Sequence, residues 1–166
     1  MNTPIRTALA LALIGASALA QAQSGAVLSE RNVSLALANQ IASATVAACS
    51  ASGYAVTATV VDRAGNVRAV QRADNAGPHT LEASRLKAYT SASARNTTLA
   101  MMEASQKNPA AANLKDIPGY LLLGGGVPVR AGNDVIGAVG VGGAPGGHLD
   151  EQCAMAALEQ VKAALQ

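Results

Sequence analysis

Val33, Leu37, Ile41, Ala44 and Ala48 recur at helical spacing and draw one apolar stripe through an alanine-rich segment. That spacing predicts a helix from Glu30 to about Ser52, with Ser29 as N-cap and Gly53 as the stop. The period then changes to two. Thr57 and Thr59 alternate with Val56, Ala58 and Val60, which predicts a strand over Val56–Val61. Asp62–Asn66 reads as a hairpin turn in which Gly65 and Asn66 tolerate positive φ, and Val67–Arg72 returns as a second strand. After a polar loop, Asp74–His79, Thr80 is placed to cap a helix reaching about Ala94. A shorter helix follows over Thr98–Ser105. Lys107–Pro118 is the longest irregular stretch and reads as a rim or lid. Tyr120–Leu123 is expected as a short strand broken by Gly124–Gly126. Val127–Arg130 and Val135–Val141 form a hairpin over Gly132-Asn133. Gly142–His148 is a second glycine-rich loop, and Asp150 is expected to cap a last helix that runs to the C-terminus. The order α-β-β-α-α-β-β-β-α carries no internal repeat or linker and implies an antiparallel sheet with helices, the α+β class.

The first 22 residues stand outside this pattern. Met1–Arg6 holds one positive charge, Thr7–Leu19 is a nearly unbroken apolar run too short to span a bilayer comfortably, and Ala20-Gln21-Ala22 is a small-residue cleavage pattern. We read a secretory signal peptide over 1–22, cut after Ala22 or after Ala20, and hence a periplasmic or secreted protein. Residues 23–166 then make one domain. No later stretch is apolar and long enough to cross a membrane. Loss of Arg6 lowers the formal charge from +2 to +1, which gives no electrostatic case for nucleic acid or an acidic membrane. There is no Phe or Trp, so Ala, Val, Leu and Ile must build the core. Each buries little area, and elements must approach closely. Cys49 and Cys153 fall near the end of the first predicted helix and in the first turn of the last. In an oxidising compartment they are a disulfide candidate; two separately buried thiols are the alternative.

The glycine-rich segments do not make a nucleotide site. Gly124–Val129 lacks the Lys-Ser/Thr ending of a P-loop, and Pro145 breaks the dinucleotide spacing after Gly140 and Gly142. The glycines are expected to let backbones pass closely or to leave room for a flat ligand. His79 and His148, the two histidines, are far apart and belong to no metal-ligand motif. A lone imidazole can still be an axial haem ligand, and Arg72, Arg85 and Lys87 lie near His79 in sequence, where they could pair with propionates. The bland alternatives are a solvated or helix-capping histidine and a solvated cationic face. No nucleophile elbow is present. Asp62 and Asp74 could be taken for a carboxylate pair, but both fall in turns, where Asp is expected anyway. No conventional catalytic constellation emerges.

Val60–Thr80, the helix holding Lys87-Ala88-Tyr89-Thr90, Gly124–Val129, Val135–Gly147 and Asp150-Glu151 together resemble the GlcG/HbpS family of haem-binding or haem-degrading domains, which is related to the C-terminal domain of the PduO protein. The resemblance covers about Ser29 to the C-terminus. It implies a profilin-like sandwich with a five-stranded antiparallel sheet in order 2-1-5-4-3 flanked by helices, and a homo-oligomer. It also implies haem as cofactor, with peroxide-driven haem breakdown or a haem- or iron-sensing role. His79 lies in the matched segment and is the candidate iron ligand, with His148 and Tyr89 next; Arg72, Arg85 and Lys87 are the candidate propionate partners. A binder of small organic acids that serves a catabolic pathway, and a ligand-free oligomeric scaffold, are the competing functions.

Overall fold

In a computed structural model, which describes residues 27–166, four antiparallel strands form one sheet between two helical layers. The elements are α1 (Leu35–Ala51), β1 (Thr57–Asp62), β2 (Val67–Arg72), α2 (Thr80–Ala94), α3 (Thr98–Lys107), β3 (Gly126–Ala131), β4 (Asp134–Gly142) and α4 (Gly147–Gln160), with 3-10 turns over Pro109–Asp116 and Lys162–Leu165. The sheet order is β2-β1-β4-β3. The expected signal peptide and its cleavage site lie outside the described residues. No helix among the described residues is long and apolar enough to cross a membrane.

The five-stranded expectation is corrected to four. Tyr120–Leu123 pairs with no strand, because neighbouring hydroxyls satisfy its backbone. Leu121 N–H donates to Thr90 Oγ1 and the Leu123 carbonyl accepts from Thr98 Oγ1, each at 2.8 Å. Helix α1 also starts later than its spacing suggests. Val33 is buried and its N–H reaches the Ile136 carbonyl of β4 at 2.9 Å, which keeps it out of the helix, so Ser34, not Ser29, becomes the cap. A tertiary tie here outweighs the local capping preference.

Alternation along β1 divides the interior. Val60 faces α1 and α4, where Ile41, Ala42, Val129, Val139, Val141 and Ala154 complete the main core. Cys49 and Cys153 are bridged within that core, with Cα atoms 5.3 Å apart, and the bridge closes a loop of 104 residues between α1 and α4. Thr57, Thr59 and Val61 face α2. The interface they make is unusual for a buried helix, because it is built largely from hydroxyls and alanines. Thr57 and Thr80 share a hydrogen bond at 2.7 Å, as do Thr59 and Ser84, while Val61, Ala88, Ala92 and Ala138 form a small apolar cluster. Small side chains give little area, so α2 gains contact by approaching the strand backbone. Gly140 makes this possible: a Cβ there would collide with the Ser84 carbonyl and come within 2.5 Å of the Ala88 nitrogen.

Two outcomes follow from this packing. Gly140→Ala should destabilise the fold by about 3 kcal/mol or more, because the obstacle is helix backbone that cannot rotate away; chemical denaturation measures it. Replacing both cysteines by alanine should cost about 3–5 kcal/mol, the loop-entropy scale for a closure of this length, and reductant should move the wild type alone towards the variant.

Candidate functional site

Helix α2 begins against β1 and ends against the hairpin turn, so its two ends serve different regions. At its start, Thr80 is buried and its hydroxyl donates to the Gly77 carbonyl at 2.6 Å while pairing with Thr57. This fixes the Gly77-Pro78-His79 approach. The residue at the cap position is His79 itself, not Thr80 as the sequence suggests, and its side chain makes no capping bond. The imidazole is exposed and lies over Gly77, where a Cβ would come within 2.7 Å of the ring.

His79 stands on the rim of a cleft of about 220 Å³, together with Ala83, Lys87, Leu123, the Gly142–Gly147 loop and Asp150. Lys87 and Asp150 form the floor and are 1% and 2% exposed. Lysine and aspartate are almost never buried so deeply unless paired. Lys87 Nζ donates to Asp150 Oδ2 and to the Val141 carbonyl, both at 2.8 Å, and Asp150 Oδ1 accepts from the Ala144 N–H at 3.0 Å. Asp150 therefore does not cap its own helix. Gly146 takes that position without any side-chain cap, and Asp150 turns inward across the glycine loop. Burial pushes the Asp150 carboxyl above the ordinary aspartate range, with the charge of Lys87 opposing it.

Only part of the expected set meets at this cleft. His79 and Lys87 line it, while Arg72, Arg85, Tyr89 and His148 do not. Arg72 donates to the Ala76 carbonyl. Arg85 grips Glu82 through Nε and Nη2 at 2.8 and 2.6 Å, an exposed pair that holds the Glu82 carboxyl below its usual range. Tyr89 lies at the far end of α2, with its ring against Gly65 and Gly119 and edge-on to Tyr120 at 6.4 Å. His148 is exposed in the first turn of α4, directly after Gly147 of the cleft wall. Asp62 is a turn former that accepts from the Ala64 and Asn66 N–H groups at 3.0 and 2.9 Å, and Asp74 is exposed in a separate surface hollow. No group of three or more His, Cys, Asp or Glu among the described residues could hold a metal ion.

The glycines of Gly124–Gly126 serve close packing. A Cβ at Gly125 would come within 2.7 Å of Asp150 Cβ, and one at Gly126 would strike the Lys87 carbonyl. Asp150 and the neighbouring Glu151 are the residues that sequence reasoning passed over, treating them as helix-start acids.

With this geometry in view, the comparisons are specific. The family model for HbpS-like haem degrading proteins matches residues 33–159, from ahead of α1 to the last turn of α4, and takes in every cleft residue. The chain belongs to the HbpS-like family. A crystal structure of an HbpS double mutant from Streptomyces reticuli is 34% identical with a TM-score of 0.77, covering 95% of this chain and 99% of that one. The Klebsiella pneumoniae protein ORFY is 31% identical with a TM-score of 0.78, covering 84% of this chain and 97% of that one. A 15.0 kDa protein encoded in the dhaT-dhaS intergenic region of Citrobacter freundii is 34% identical over 113 residues, 67% of this chain and 80% of its own length.

Beside the HbpS-like cleft, Glu151 sets a pH dependence. It is 8% exposed, its Oε2 has no hydrogen-bond partner, and it faces the start of α3. Burial raises its pKa, against the lowering effect of the Leu99 N–H, the Thr97 hydroxyl and the Gly125 N–H; Glu103 adds a further upward push. A carboxyl raised on folding contributes stability below its unfolded pKa and loses that contribution as pH rises through the folded value. Glu151→Gln removes the buried charge and its repulsion from Glu103, and should therefore raise the neutral-pH stability by about 1 kcal/mol, the scale of a buried polar group's desolvation. The gain should vanish towards pH 4. Thermal melts between pH 4 and 8 read both effects.

Proposed function

We propose that this HbpS-like protein is an exported haem binder and that His79 ligates the iron. One observation carries the reading: within the segment matched by the family, an exposed imidazole stands on the rim of a cleft and is committed to no capping bond. A neutral imidazole nitrogen is a fitting axial donor. The cleft volume of about 220 Å³ is smaller than sites that enclose drug-sized ligands, roughly 300–1,000 Å³. A porphyrin would therefore be held by His79 at the rim of the cleft, not enclosed by it. Arg85 is the cation best able to turn to a propionate, because an exposed pair such as Arg85–Glu82 contributes little and exchanges readily. Lys87 is held by Asp150 and Val141 and stays where it is. When bound, haem would supply peroxide-driven oxidation at its iron, its own breakdown included.

Export is supported by the leader pattern over 1–22 and by the Cys49–Cys153 bridge. Assembly into a homo-oligomer is supported by the apolar side chains that β2 and α4 leave exposed, Val67, Val70 and Met155.

A second reading takes a small organic acid as the ligand. What favours it is the cleft's size and the two helix starts that border it, α2 at His79 and α4 at Gly146, neither closed by a capping side chain. A haemin titration separates the two. The wild type should give a saturable, near-stoichiometric red-shifted Soret band, and His79→Ala should weaken binding by tenfold or more, ~1.4 kcal/mol. A band retained in the variant would move the ligand to His148 or a tyrosine. Weak, non-saturating binding by both proteins would remove the haem reading and leave the organic acid.

A further inference from the structure

The Gly142–Gly147 loop forms one wall of the His79 cleft and has little means of holding its own shape. It consists of glycines with Ala144 and Pro145, and Gly143 sits at φ +135, a conformation that side chains rarely adopt. A backbone this free must be fixed from outside. Three observations say by what. The Ala144 N–H, near the middle of the loop, ends on Asp150 Oδ1 at 3.0 Å. The other carboxylate oxygen ends on Lys87 Nζ, which also holds the Val141 carbonyl where β4 runs into the loop. Asp150 comes from α4 and Lys87 from α2, so the loop is tied to the same helix that carries His79 on its cap.

We infer that Asp150 is the positioning residue of the cleft: its carboxylate holds the glycine loop at Ala144 in the shape that a ligand at His79 meets, and Lys87 is the buried partner that anchors the other carboxylate oxygen. The inference rests on the reading that His79, on the rim of this cleft, ligates haem. A hydrophobic pair would pack at least as well here, since a buried ion pair seldom outperforms apolar residues of similar size. Neither member of such a pair could accept from Ala144. The position of a backbone N–H, rather than stability, accounts for a carboxylate at this place.

Two double variants isolate the bond to Ala144. Lys87→Met with Asp150→Asn removes both charges but keeps an amide oxygen for the Ala144 N–H. Lys87→Met with Asp150→Ala removes both charges and the acceptor. Single variants would leave one buried charge unpaired and could unfold, so they are not used. Amide hydrogen exchange at Ala144, thermal melts and haemin titration are measured on both. The Asn variant should keep Ala144 protected and bind haemin within about threefold of wild type. The Ala variant should lose protection at Ala144, bind about tenfold more weakly, and keep the Soret position that His79 sets. Equal haemin affinity in the two variants, or Ala144 protection unchanged in the Ala variant, overturns the inference. If the wild type binds no haemin, the haem reading fails by itself. Exchange at Ala144 then still decides whether Asp150 holds the cleft wall: lost protection supports it and retained protection sinks it.

Discussion

The close seat of α2 on the sheet governs the rest of this structure. Without Phe or Trp the chain has few large faces to bury, and α2 offers hydroxyls and alanines to β1 and β4. Dispersion is strong only at contact distance, so a small-residue interface works when backbones come together. Gly140 and Gly126 allow that approach, and the Thr57–Thr80 and Thr59–Ser84 hydroxyl pairs set its register. Once α2 is seated, His79 is delivered to one end of the sheet and Tyr89 to the other, and Lys87 is carried into the interior. The site is a by-product of how the helix must pack.

That dependence explains what the sequence disclosed. Periodicity located β1, β2, the β3–β4 hairpin and the helices, because each has a local signal: alternating valine and threonine, turn residues at Gly65 and Gly132, and the apolar stripe of α1. Tyr120–Leu123 misled because its Tyr-Leu-Leu-Leu composition favours a strand, while what decided its state was a pair of distant hydroxyls, Thr90 and Thr98. A single sequence does not announce such partners. Ser29 and Thr80 misled in the same manner, as good caps displaced by the tie of Val33 to Ile136 and by the Thr80–Thr57 bond.

The cleft proposed as a site was legible in two of its residues more than in its wiring. His79 was visible as a histidine in a polar loop beside a helix start, a place that remains exposed in the fold. Lys87 was visible as a cation but was assigned to solvent and ligand. The missing information was burial. Position 87 falls on the helix face shared with Ser84, Ala88 and Ser91, all buried, and a lysine on such a face must find a carboxylate. Asp150 and Glu151 were the only adjacent acids near a helix start, and one of them was its partner.

The contrast between these two acids shows how identical chemistry yields opposite consequences. Both are buried at the head of α4, and burial raises the pKa of both. Asp150 meets a full positive charge and a backbone N–H, so both oxygens are engaged. Glu151 leaves Oε2 without a partner and faces a further carboxylate, Glu103. The first arrangement ties down a loop made mostly of glycines. The second costs stability at neutral pH and is relieved by a proton. A stretch of chain that carries both favours shape at the cleft over stability, the ordering that ligand binding at this cleft would require.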